Sequence, residues 1–217
     1  MLASVKLQRG LMAVFVALVA AIVFVIVTNT GAGDASSSGP SAQAPGSSTQ
    51  SPFDGPTMPP HLKAHDFTLT DQYGHRISLA DDRGKVVMLT FIHSLCHDAC
   101  PFMVEQIKGA LNELPHNGRN IPTIGVSAAP GEDTVHNREA FLAKHQMTGR
   151  LEFVNGPMPA MRKVWHAYAI QPVTPKVDHS TFVLLIDKHG YERVGFAADQ
   201  LTPESLAHDI RVLQRES

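Results

Sequence analysis

The chain has 217 residues, with 18 lysines and arginines against 20 aspartates and glutamates, so its formal charge is −2. No long run of one sign occurs, which argues against a nucleic-acid partner. The 12 histidines are scattered rather than clustered, so composition raises the weight of metal chemistry only modestly.

Residues 1–10 include Lys6 and Arg9 and precede the uncharged run "LMAVFVALVAAIVFVIV". With Thr28 that run reaches the length a bilayer core demands, so residues 11–28 read as a transmembrane anchor. A cleaved signal would have a shorter apolar region before a small-x-small site. "TGAGDAS" offers one only weakly, and the uncleaved anchor is the preferred reading. Positive charge ahead of the span leaves the N-terminus in the cytoplasm and sends the rest across the membrane. Residues 29–60 are rich in Gly, Ser, Pro and Ala and read as a flexible tether, because so few large apolar groups cannot offset backbone entropy. Residues 61–217 then form the folded domain, a common single-domain length.

Within that domain "FTLTDQYGHRISL" alternates around Asp71 and Gly74 and predicts a hairpin. The continuous apolar run from Val86 to Ile92 predicts a strand buried on both faces. After it, Met103, Ile107, Ala110, Leu111 and Leu114 recur at helical steps, with Pro101 in the first turn, where its missing N–H costs nothing. "IPTIGVSAA" is a second buried strand, and "EDTVHNREAFLAKHQ" a helix capped by Asp133 or Thr134. "LEFVN" reads as a short strand and "PAMRKVWHAY" as a helix. "TFVLLIDKHGYERVGF" reads as a hairpin turning at Lys188 to Gly190. The last helix, "TPESLAHDIRVLQRE", has Thr202 as cap and Pro203 at its first position. Strand, helix, strand, helix, hairpin and final helix make the thioredoxin-like α/β order, here a mixed sheet flanked by helices behind an N-terminal hairpin.

The only two cysteines, Cys96 and Cys100 in "HSLCHDACP", fall between the end of the central strand and the first turn of the next helix. Ligands of open α/β sheets gather at such strand ends, and a helix N-terminus favours thiolate over thiol. The thiolate both attacks disulfides and binds metal, so a redox pair and a metal site stand side by side. A structural disulfide across so short a loop would stabilise little.

The stretch "DQYGHRISLADDRGKVVMLTFIHSLCHDACP", together with "DHS" at 178–180 before "TFVLLID", resembles the Sco/SenC family. Members are copper-binding, membrane-tethered thioredoxin-fold proteins that help assemble the dinuclear copper centre of cytochrome c oxidase. The resemblance covers nearly the whole folded part. It implies one copper ion per chain, held by Cys96, Cys100 and His179, and a copper-centre subunit of cytochrome c oxidase or another cuproenzyme as recipient. It also implies a metallochaperone rather than an enzyme, and the compact apolar leader, which lacks an Arg-rich amphipathic presequence, favours an inner-membrane anchor with the domain in the periplasm over a mitochondrial intermembrane space. Soft thiolates with an imidazole suit Cu(I), whereas a structural zinc site would want four closed ligands.

The chain departs from the family at two places. His97 stands where the family often has proline, which makes it a loop residue or an auxiliary ligand, and His93 raises the same question more weakly. In "VSAAPGEDT", Ala129 and Glu132 replace a common aspartate and arginine. Met158 and Met161 read as core filling, Trp165 and Tyr168 as packing residues, and His61 and His65 as residues at the end of the tether. The rival function is a membrane-anchored thiol-disulfide oxidoreductase working on a partner's cysteines through Cys96 and Cys100 as a redox pair. A peroxiredoxin-like peroxidase ranks third, because His93 stands where its threonine would be.

Overall fold

The hairpin predicted around Asp71 and Gly74 forms in the computed structural model, which describes residues 51–172 and 182–216. These belong to the second of two compact units, Thr49–Ser217. Strand β1 (Thr68–Thr70) pairs antiparallel with β2 (Arg76–Ser78), Leu69 opposite Ile77. Asp71 holds the turn: its Oδ1 accepts from the amides of Tyr73 and His75, both at 2.8 Å. Gly74 supplies the left-handed residue at φ 87°.

The remaining elements follow as β3 (Val87–Ile92), α1 (Ala99–Glu113), β4 (Thr123–Ser127), α2 (Val135–Lys144), β5 (Glu152–Val154), α3 (Met158–Ala167), β6 (Phe182–Ile186), β7 (Glu192–Ala197) and α4 (Pro203–Arg215). The main sheet has five strands in the order β5-β4-β3-β6-β7. β3, β4 and β5 run parallel, whereas β6 is antiparallel to both β3 and β7. This is the α/β thioredoxin-like arrangement, with β5 and α3 inserted before the final hairpin.

The unbroken apolar run of β3 follows from burial on both faces, and all six of its residues are buried. Side chains alternate across the strand. Met88 and Ile92 meet Met103, Ile107 and Leu111 of α1 and Leu206 and Ile210 of α4. Val87, Leu89 and Phe91 face Leu69, Leu79, Met161 and Trp165 on the other side. Fully burying each such side chain contributes roughly 1.5–3 kcal/mol, so the sheet position of β3 is over-determined. Both predicted threonine caps form: Thr134 accepts from Asn137 N and Thr202 from Ser205 N, each at 3.2 Å.

The boundary at residue 60 moves. Residues 54–64, of which 54–60 belong to the expected tether, run along β7. Thr57 bridges Val194 and Lys63 bridges Tyr191, while Met58 N donates to Arg193 O and Ala64 N to Gly190 O, each at 2.9 Å. A Cβ on Gly55 would lie 2.4 Å from Phe196 Cζ and 2.6 Å from Val194 Cγ1, so only glycine admits this approach. The Arg193 guanidinium stands 5.5 Å from the Phe53 ring centroid. This strap covers an edge strand through backbone hydrogen bonds, and proline is tolerated on its outer side. A Pro- and Ser-rich composition does not reveal such pairing. The expected anchor at 11–28 lies outside the described residues. Among those described, no helix is long and apolar enough to cross a membrane.

Candidate metal centre

The two cysteines lie where β3 hands over to α1. Cys96 N donates to His93 O at 3.1 Å, closing the turn that follows the strand. Cys100 is the second residue of α1 and is fully buried. Its Sγ accepts the His93 backbone N–H at 3.4 Å. Cys96 is half-buried and packs against the same apolar cluster that holds Cys100, so the first cysteine keeps some contact with solvent and the second has none. α1 has no side-chain N-cap and no acidic residue in its first turn. The N-cap position is held by Asp98, whose side chain makes no capping hydrogen bond. Leu95 and Phe102 are exposed apolar residues on either side of the pair.

Around the loop, one side chain after another is tied down. The His93 imidazole is buried, with Nε2 3.0 Å from Glu132 Oε2. It is therefore turned to Glu132, while His97 is exposed. Asp133 is fully buried and accepts from Ser94 N at 2.7 Å, Ser94 Oγ at 2.6 Å, Ser127 Oγ at 2.5 Å and Ala129 N at 3.3 Å. Thr90 Oγ1 donates to Phe182 O at 2.8 Å, fastening the start of β6 beside the end of β3.

His179 lies outside the described residues. What the structure does describe is the strand that follows it: β6 begins at Phe182, and Val183 stands opposite Thr90. Because β6 runs antiparallel to β3, its first residues are at the same end of the sheet as the cysteine loop. The other residues singled out above fall into structural places. Met161 is fully buried, and Trp165 Nε1 donates to Ser127 O at 2.9 Å. Tyr168 donates its hydroxyl to His65 O at 2.8 Å, and burial pushes its pKa up. Met158 is exposed at the rim of a groove shared with Glu132, Arg162 and Trp165. His61 stands edge-on to Tyr191, with ring centroids 6.1 Å apart.

Asp133 and its serine partners were not among the sequence candidates. The one available signal, an acid beside a helix start, pointed to a cap, and Thr134 takes that place. Chemically, two cysteines four positions apart at a strand–helix junction, one half-buried and one buried, can close a disulfide or chelate a soft ion.

A family model described as SCO1/SenC matches residues 56–215. Protein sco1 of Schizosaccharomyces pombe is 24% identical over 156 residues, covering 66% of this chain and 58% of that relative, so the chain spans little more than half of the curated relative's length. Among solved structures, Bradyrhizobium japonicum ScoI with copper bound is 25% identical at a TM-score of 0.61, covering 70% of this chain and 99% of that one. BsSco, a member of the Sco family of cytochrome c oxidase assembly proteins in which a disulfide switch was identified, is 17% identical at a TM-score of 0.62, covering 73% of this chain and 97% of that one.

Proposed function

The chain belongs to the SCO1/SenC family, and from that premise we propose that it is a copper metallochaperone whose cargo is held by Cys96, Cys100 and His179. The observation that carries this reading is the pairing of a half-buried with a buried cysteine at the start of α1, at the sheet end where β6 begins. Three residues of extended chain span about 10 Å, so His179, three residues before Phe182, is within reach of that end. Two thiolates and an imidazole select Cu(I) over harder ions. The relative from Bradyrhizobium japonicum, solved with copper bound, supports the same cargo.

Delivery needs no bond of a substrate to break. The ion passes by stepwise ligand exchange, and half-buried Cys96 is the sulfur a partner's thiolate can replace first. We assign the recipient as a copper-centre subunit of cytochrome c oxidase or another cuproenzyme. The residue 11–28 segment is proposed as a single-pass inner-membrane anchor that holds the domain in the periplasm. The experiment is Cu(I) titration of the full chain in detergent against a competing chelator. Uptake should saturate near one ion per chain, fall sharply in His179→Ala, and leave that variant able to form the Cys96–Cys100 disulfide. No uptake by the reduced wild type sinks the reading.

One observation favours a second reading, thiol-disulfide exchange with a partner: the same pair has the placement of a redox dithiol, and BsSco carries a disulfide switch. Rapid dithiol turnover on a protein substrate, with copper binding unaffected by His179→Ala, would select it.

A further inference from the structure

We infer that Asp133 is the positioning residue of the thiol pair, acting through Ser94; as an account of copper carriage this rests on the function proposed above. Its carboxylate joins two segments: the loop leading to Cys96, through Ser94, and the end of β4 with its connection to α2, through Ser127 and Ala129. Ser94 follows His93, whose backbone N–H donates to Cys100 Sγ and whose carbonyl accepts from Cys96 N. The clamp thus holds the stretch whose backbone contacts both cysteines.

Asp133 is in turn held by its own backbone, its N donating to Ala129 O at 2.8 Å and its O accepting Asn155 Nδ2 at 3.0 Å. The buried Arg138 lies close enough to feel its charge: burial lowers the arginine's pKa, and Asp133 opposes that shift. Only a carboxylate offers acceptors enough for four donors at this site. An amide would turn an NH2 toward N–H and O–H groups.

The clamp's purpose is preorganisation. Partners that orient ligands without touching the metal typically govern about 10- to 100-fold in affinity. The test measures the equilibrium of the Cys96–Cys100 disulfide with two reduced glutathiones, giving dithiol and glutathione disulfide, alongside Cu(I) affinity in the full chain in detergent. Asp133→Asn should shift the exchange constant and weaken copper binding by about tenfold or more. Ser94→Ala, which keeps the backbone bond, should shift both by a smaller factor. Asp209→Asn, a change at an equally buried carboxylate that ties the strap, should lower the melting temperature and move neither quantity. Wild-type constants in Asp133→Asn, or an equal shift in Asp209→Asn, overturn the inference. If Asp133→Asn fails to fold, unchanged constants in Ser94→Ala overturn it. If the wild type takes up no copper, the carriage reading falls while the glutathione equilibrium still decides Asp133.

Discussion

Asp133 and Asp209 are both fully buried carboxylates, yet they serve different ends. Asp133 gathers donors around the cysteine loop. Asp209, on α4, accepts Asp54 N at 2.8 Å, Gly55 N at 2.9 Å and the His208 ring at 2.9 Å, with the backbone donors about 155 positions away in sequence. Closing so long a loop has an entropic cost, and burying a charge has a desolvation cost that only full satisfaction offsets. One physical device therefore does two things. Near the thiols it sets geometry, and at the strap it secures the N-terminal approach to the domain. His208 Nδ1 also stands 3.5 Å from Asp54 Oδ2 on the strap.

The comparison breaks first at the sulfurs. Cys96→Ser or Cys100→Ser should abolish Cu(I) uptake in chelator competition, whereas Asp209→Ala should retain it. Asp209→Ala should instead lose about 2 kcal/mol of stability in urea unfolding, because the buried Gly55 N–H and the part-buried Asp54 N–H lose their acceptor. Retained stability would mean that the strap is fastened elsewhere. Gly55→Ala places a methyl against Phe196 and Val194 and should cost about 2 kcal/mol, with copper affinity unchanged.

The strap side also carries a pH dependence. Burial raises the Glu192 carboxyl from 4.5 to about 6, and its backbone N donates to Leu62 O where the strap crosses β7. The folded state therefore holds this proton more tightly than the unfolded chain. Stability is lost as pH rises through roughly 4.5 to 6, by at most about 2 kcal/mol. Glu192→Gln should flatten that part of the profile in thermal melts across the window. The smallest effect is expected at α4: Thr202→Ala removes the cap and should cost about 1 kcal/mol with no change at the thiols.

Much of the candidate centre was legible from pattern. The six-residue buried strand, the helical period after Pro101 and the two cysteines between them placed both sulfurs at the β3–α1 junction, because each signal is local. The Glu132 contact that ties the His93 imidazole was not legible. Glu132 lies 39 positions from His93, and no spacing rule connects them. Asp133 was hidden for a related reason: beside Thr134 it has the sequence signature of a cap, and its true donors include Ser94, 39 positions away in the loop before Cys96.

Taken alone, the sequence determined the order and character of the elements, their caps and the placement of the cysteines, because periodicity and turn chemistry depend on neighbouring residues. The tertiary structure alone decided that a Pro- and Ser-rich approach segment becomes a strap on β7, and that two buried acids fasten the strap and the thiol loop. Those outcomes depend on backbone amides and hydroxyls brought together from distant positions, and a polar group's buried partners are chosen only once the sheet has assembled.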